Sequence, residues 1–138
     1  MSTVTTGLNV VIFNDCTLPT FVTPIFASPR ANNSSADLVI SFAIDSYKNE
    51  SAHGVATYYY GADAHGVHSV VGEKFATLVQ REITARTDLL NCRTHAKTWD
   101  LLRRTKAPTV RIDLGYASNP GDFKRLSDPD FRETIVES

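Results

Sequence analysis

The chain has 138 residues, of which 42% are hydrophobic and 21% are charged, and its formal net charge is −1. This length and composition predict one globular domain over residues 1–138. The near-neutral charge gives no indication of a basic surface of the kind that binds nucleic acid or acidic lipid. No apolar run reaches the roughly 18 residues of a membrane span. The first residues lack the basic and apolar stretches of a signal peptide, which favours a cytoplasmic location.

Four apolar segments rich in β-branched residues predict buried strands. They are Gly7–Phe13, Asp37–Ala43, Val55–Tyr60 and Thr109–Leu114. Between the first two strands the chain contains three prolines spaced five residues apart, so we expect an irregular segment over residues 16–35. The two cysteines, Cys16 and Cys92, are far apart in sequence and are expected to be buried thiols.

Helical periodicity of apolar residues begins at Val67 and continues to Ile83, with Asp63 as the candidate N-terminal cap. The stretch Lys97–Lys106 predicts a second, shorter helix in which Trp99 faces inward together with Leu102.

A last helix is expected after Asp128, which can cap it. The following proline suits its first turn, and Phe131 and Ile135 share one face. Continuous apolar strands that alternate with amphipathic helices predict an α/β fold with a mainly parallel sheet flanked by helices.

Arg111 and Asp113 are the charged residues of the last predicted strand. They alternate with apolar neighbours and therefore share one face of that strand. Two interpretations stay open: a structural ion pair, or an acid that faces a ligand. Asn119 is interpreted as a turn residue. The rings of Tyr58–Tyr60 must alternate between faces, so that some are in the core and others can contact a ligand or a partner.

Four motifs follow one another in the order of a known family. They read G-L-N-V-V-I-F, R-A-N-N-S-S-A-D-L-V-I-S, G-V-A-T-Y-Y-Y-G and A-P-T-V-R-I-D-L-G-Y-A-S-N-P. In this order they resemble the zinc-dependent N-acetylmuramoyl-L-alanine amidases of type 3. The stretch that begins H-S-V-V-G-E-K-F looks most similar to the actinobacterial CwlM-type branch. The resemblance implies an amidase/phosphorylase-like architecture. It also implies cleavage of the amide between the muramic acid lactyl group and the first L-alanine of the peptidoglycan stem.

The chain departs from the family pattern at the residues that carry the chemistry. Where the family has a zinc-binding histidine, this chain has Ala43, whose methyl group cannot bind a metal. The catalytic glutamate of the family corresponds to Asp113, which is shorter by one carbon–carbon bond, about 1.5 Å. A displacement of about 1 Å can reduce a rate about a hundredfold. The other two zinc ligands belong to segments that precede Gly7–Phe13, so we expect a domain that lacks the family's first strand and helix.

The histidines of this chain offer an alternative zinc site. His65 and His68 are three residues apart and could face one side, with His95, His53 or an acid as a further ligand. The simpler interpretation is that these histidines are solvated. His95 matches a histidine of the CwlM-type pattern and is expected to be a structural or partner contact.

Taken with the resemblance, these departures predict a non-catalytic protein that acts by binding and regulates peptidoglycan synthesis. No cofactor is expected, although the active family uses zinc. The expected partner is a peptidoglycan fragment or a cell-wall synthesis protein, and the candidate binding residues are Arg111, Asn119 and His95. The alternative is an active amidase, exported to the cell wall, whose missing zinc ligands are outside this chain. Self-association across an open sheet edge is also expected.

Overall fold

A computed structural model describes residues 2–5, 9–14, 36–62 and 67–137. The strands are β1 (Ser2–Thr5), β2 (Asn9–Asn14), β3 (Leu38–Asp45), β4 (Val55–Ala62), β5 (Val67–His68), β6 (Asn91–Lys97) and β7 (Thr109–Tyr116). The helices are α1 (Val70–Arg86), α2 (Asp100–Arg104), α3 (Pro120–Ser127) and α4 (Pro129–Glu137). The predictions for Cys16, Asp63, His65 and the irregular segment 16–35 lie outside the described residues.

The strands form one sheet in the order β1-β2-β3-β7-β4-β5, and β6 also pairs with β4. The neighbours β2 and β3, β3 and β7, and β4 and β6 are parallel. Strand β4 runs antiparallel to β7, so the sheet is mixed where these two strands meet. The predicted α/β class with helices flanking the sheet is confirmed. Strand β1 pairs with β2, so the sheet edge that we expected to be open at β2 is occupied.

Different helices pack against the two faces of the sheet. On one face, Val110 and Ile112 of β7 pack in a cluster with Ala76 and Ile83 of α1 and with Ile135 of α4. This face holds the largest group of buried apolar side chains among the described residues. The other face carries α2, because Leu101 packs against Val39 of β3. Burial on both faces explains why β3 and β7 have the near-continuous apolar sequences from which they were predicted.

Helix α1 begins later than its sequence pattern suggests. Its N-terminal cap is Ser69, whose hydroxyl accepts a hydrogen bond of 3.0 Å from the backbone N–H of Gly72. The predicted start at Val67 is therefore wrong, because Val67 and His68 form β5, which pairs with the end of β4. None of the described helices has the length and apolar character needed to cross a membrane.

The helix predicted over Lys97–Lys106 is wrong at its start. Lys97 is the last residue of β6, and α2 contains only Asp100–Arg104. Leu102 is buried, as predicted, but Trp99 is 37% exposed and does not face the core.

The last predicted helix is confirmed as α4. The carboxylate of Asp128 accepts a hydrogen bond of 3.0 Å from the backbone N–H of Asp130, and Ile135 is buried. Helix α3 was not predicted from the sequence.

Asp122 joins the start of β4 to the end of β7 and has no exposed surface. Its Oδ2 accepts hydrogen bonds from the backbone N–H groups of Gly54, at 2.8 Å, and Tyr116, at 3.0 Å. Arg125 lies 3.3 Å from its other oxygen. Gly115 has a positive φ of 146°, and a Cβ at this position would be only 3.0 Å from the Asp122 carboxylate. The buried acid therefore fixes the strand ends beside which the site is built.

The substitution Asp122→Ala is expected to lower the free energy of unfolding by about 3 kcal/mol, because it leaves the buried N–H of Gly54 and the partly buried N–H of Tyr116 without an acceptor. Urea denaturation monitored by circular dichroism measures this change. The control is Asp130→Ala on exposed α4, which should change stability by no more than about 0.5 kcal/mol. Equal effects of the two substitutions would contradict the assigned role of Asp122.

Candidate functional site

The register of four strands brings the candidate residues together on the α2 side of the sheet. Asp113 lies beside Ala43 of β3, and Arg111 lies beside Tyr58 of β4. Tyr58 in turn lies beside His95 of β6. Because cross-strand neighbours point to the same face, these side chains surround one space. It is an open pocket of about 360 Å³, lined by Asp45, Tyr58, His95, Lys97, Trp99, Arg111 and Asp113.

An ion pair lies at the centre of this pocket. The Nε atom of Arg111 donates a hydrogen bond of 2.8 Å to Oδ1 of Asp113. Asp113 is only 5% exposed. Burial raises the pKa of the Asp113 carboxyl above its ordinary value, and the charge and hydrogen bond of Arg111 oppose that rise. The ion pair, one of the two interpretations that the sequence left open, is present on the predicted shared face, and its carboxylate also lines the pocket.

Two aromatic rings form the wall of the pocket beside this pair. The rings of Tyr58 and Trp99 have centroids 4.6 Å apart, and the guanidinium carbon of Arg111 lies 5.1 Å from the centroid of the Trp99 ring. Burial raises the pKa of Tyr58 to about 12, with a further contribution from the negative charge of Asp113. The phenol therefore keeps its proton near neutral pH and can donate a hydrogen bond into the pocket.

Of the three predicted binding residues, two line the pocket and one does not. Arg111 and His95 both line the pocket. His95 lies beside Tyr58, with ring centroids 5.7 Å apart, and its Nε2–H donates a hydrogen bond of 2.6 Å to the Cys92 carbonyl oxygen. Asn119 does not line the pocket.

The side chain of Asn119 caps helix α3. Its Oδ1 accepts a hydrogen bond of 3.0 Å from the N–H of Asp122, and its Nδ2 donates one of 2.8 Å to the carbonyl of Glu50. The turn interpretation is thereby refined to a helix cap that also holds the loop after β3.

The described members of the alternative set of histidine ligands, which are His53, His68 and His95, are not brought together. His68 contacts Tyr59, at a ring-centroid distance of 6.4 Å, and its Nε2 lies 2.8 Å from Glu73. Tyr58 and Tyr59 are adjacent in β4 and point to opposite faces, so His68 and His95 lie on opposite sides of the sheet. His53 is held by its own loop, where its Nδ1–H donates a hydrogen bond of 2.7 Å to the Ser51 carbonyl.

Sequence reasoning missed two residues of the pocket, Asp45 and Lys97, and it placed Trp99 in the core instead of in the pocket. Asp45 ends β3, so its place after a buried parallel strand was the available signal. Lys97 ends β6, a strand that was not predicted. Trp99 follows that strand and extends over Tyr58, and this contact had no signal in the local sequence.

Zinc, the metal of the resembled family, does not fit the described side chains. Ala43 stands next to Asp113 and offers only a methyl group, while Arg111 already occupies one carboxylate oxygen of Asp113. Nowhere in residues 36–62 and 67–137 do three His, Cys, Asp or Glu side chains form a group that could hold a metal ion. A further cation near Lys97 would also be repelled by that charge. The described part of the chain therefore offers a binding pocket without the donor set of a zinc site.

Comparison with known proteins places the chain in a known family of α/β proteins. Residues 6–138 match the family N-acetylmuramoyl-L-alanine amidase, and the chain belongs to that family. It is 44% identical over 107 residues to N-acetylmuramoyl-L-alanine amidase CwlM of Mycobacterium tuberculosis, an alignment that covers 78% of this chain and 26% of the relative. The family and the CwlM-type branch predicted from the sequence are confirmed.

Solved structures of amidases share the fold. An N-acetylmuramoyl-L-alanine amidase from Clostridium difficile 630 superposes with a TM-score of 0.74 at 22% identity, covering 84% of this chain and 60% of that one. The CwlD amidase of Clostridioides difficile, solved in complex with the GerS lipoprotein, gives 0.68 at 21% identity, covering 80% and 54%. The chain thus spans about a quarter of the length of its CwlM relative and somewhat more than half of these solved chains.

The substitution Arg111→Leu tests the ion pair. It is expected to lower the free energy of unfolding at pH 7 by about 3 kcal/mol, because it leaves a buried carboxylate unpaired. It should also raise the pKa of Asp113 further. A carboxyl whose pKa is raised by folding binds its proton more tightly in the folded state, so its protonation stabilises the fold and stability is lost as pH rises above the ordinary carboxyl range.

The loss caused by Arg111→Leu, relative to the unsubstituted chain, should therefore be smaller at pH 4 than at pH 7. Urea denaturation at both pH values measures it. The double variant Arg111→Leu with Asp113→Asn is the matched control, and it should recover most of the stability and show no such pH dependence. A loss of the same size at both pH values would show that Asp113 is not the group involved.

Proposed function

We propose that this chain is a non-catalytic member of the amidase family that acts by binding and takes part in the regulation of peptidoglycan synthesis. The observation that carries the proposal is the pairing of Asp113 with Arg111 beside Ala43. At this position an amidase of the family would need a free carboxylate and a histidine ligand. Here the carboxylate is neutralised by a guanidinium, and the neighbouring side chain is a methyl group.

Catalysis of amide hydrolysis by this family depends on what zinc supplies when it is bound. The metal lowers the pKa of a water molecule and polarises the carbonyl group. The described residues contribute no donor set for a metal ion. Asp113, at the position of the family's catalytic glutamate, is paired with Arg111 and is not free to take a proton from water. They retain an open pocket with an aromatic wall and hydrogen-bonding groups, which is suited to binding a polar ligand.

A peptidoglycan fragment in this pocket, or a cell-wall synthesis protein on the surface around it, is the partner that this proposal implies. The similarity to CwlM supports the connection with the cell wall. That the CwlD amidase was solved in complex with a lipoprotein supports a protein partner for this fold. A cytoplasmic location remains part of the proposal and follows from the regulatory role.

Zinc titration of the chelator-treated protein tests the proposal first. Isothermal titration calorimetry is expected to show no zinc binding tighter than about 1 mM, or about −4 kcal/mol. Incubation with muropeptides and zinc should release no stem peptide above the rate without protein, and Asp113→Asn should leave that background unchanged. Tight binding of one zinc ion together with cleavage that is lost in Asp113→Asn would overturn the proposal and favour an active amidase.

A further inference from the structure

Two cationic side chains converge on the single tryptophan of the chain. The Nζ atom of Lys97 lies 5.7 Å from the centroid of the Trp99 ring, and the guanidinium carbon of Arg111 lies 5.1 Å from the same point. Both distances are within the range of cation–π attraction. We call the part of the pocket that is formed by Lys97, Trp99 and Arg111 the Trp99 end of the pocket.

The hydrogen-bond donors of these two cations are largely unused by the described residues. An arginine side chain has five N–H donors, and Arg111 uses the one on Nε to bind Asp113. Its two terminal nitrogens, which carry the other four donors, have no acceptor among the described residues. Lys97 likewise forms no ion pair with any residue that the structure describes. Donors of this kind, beside a partly exposed aromatic ring, form charge-assisted hydrogen bonds with an oxyanion.

The charges of the pocket are separated across the sheet. Lys97 lies on β6, at one side, and Asp45 lies at the end of β3, on the other side of β7 and β4. Asp113 lies between them and is already paired with Arg111. A negatively charged group is therefore favoured near Lys97 and disfavoured near Asp45, which gives a bound ligand a defined orientation.

We infer that the Trp99 end of the pocket binds an oxyanion, a carboxylate or a phosphate, between Lys97 and Arg111. The inference rests on the proposed function, in which this pocket binds a ligand without hydrolysing it. Trp99 covers an apolar or ring-shaped part of the same ligand, and Tyr58, which keeps its proton, donates a hydrogen bond beside it. The class of ligand is thus a small organic anion with a ring or an apolar group close to its charge.

Fluorescence of Trp99 tests the inference directly, because this chain has no other tryptophan. Three ligands that share one sugar ring are titrated in the presence of a chelator: N-acetylmuramic acid, N-acetylglucosamine 1-phosphate and neutral N-acetylglucosamine. At least one of the two anions is expected to give a saturable change in intensity or wavelength. Its affinity should exceed that of the neutral sugar by at least about tenfold, or about 1.4 kcal/mol. The anion that binds more tightly shows whether the site prefers a carboxylate or a phosphate.

Variants separate this site from general attraction of anions. Lys97→Gln should weaken binding of the preferred anion about tenfold or more, whereas Lys97→Arg should retain it. Lys124→Gln makes the same change on exposed α3, outside the pocket, and should leave the affinity unchanged. Thermal unfolding of each variant establishes that it folds. Binding of the neutral sugar as tight as that of both anions, or an affinity unchanged in folded Lys97→Gln, would overturn the inference.

The outcome is distinguishable from that of the zinc experiment. Because the chelator removes metal from the fluorescence titration, anion binding there is independent of any zinc site. Anion binding together with tight zinc binding and cleavage would overturn the proposed function and leave the anion site in place. A protein that binds neither zinc nor the anions would overturn the anion site alone.

Discussion

The alternation of side chains along β7 is the constraint on which both the core and the pocket depend. Val110 and Ile112 enter the main hydrophobic cluster, while Arg111 and Asp113 emerge on the opposite face. A shift of the pairing by one residue would bury both charges in the core and expose both apolar side chains, so the register is strongly specified. The ion pair is therefore held in position by hydrophobic packing on the other side of the same strand. The same packing gives the polar side chains of the pocket a fixed geometry.

The sequence predicted best those elements that are buried on both sides. Strands β3 and β7 are flanked by other strands and covered by helices, so their apolar character is continuous and visible in a single sequence. Strand β6 was missed because, among the described strands, it pairs with β4 alone and because its residues alternate between exposed and partly buried. Its sequence N-C-R-T-H-A-K has almost no apolar signal. Helix α3 was missed because Asn119, followed by proline and glycine, is typical of a turn as well as of a helix start.

Contacts between residues close in sequence could be predicted in the site, whereas contacts between distant segments could not. The pairing of Arg111 with Asp113 is local, since residues two apart in a strand share a face. The position of Trp99 is not local. Its backbone is extended at the N-terminal cap of α2, with φ −58° and ψ 149°, so it is outside the helix and its ring contacts Tyr58 on another strand. Apolar spacing in K-T-W-D-L-L predicted a helix with the ring inward, but the course of the chain between β6 and β7 decides where that ring lies.

The electrostatics of the pocket connect the two proposals. Burial of an ion pair has a desolvation cost that its own attraction does not always offset, so the pair is weak evidence for stability. Its effect on ligands is clearer. Arg111 neutralises the carboxylate that would otherwise attract a metal ion, and its remaining donors, beside Lys97, favour a negative group instead. The guanidinium that β7 holds between Asp113 and Trp99 therefore contributes both to the proposed loss of zinc chemistry, together with Ala43, and to the proposed anion site.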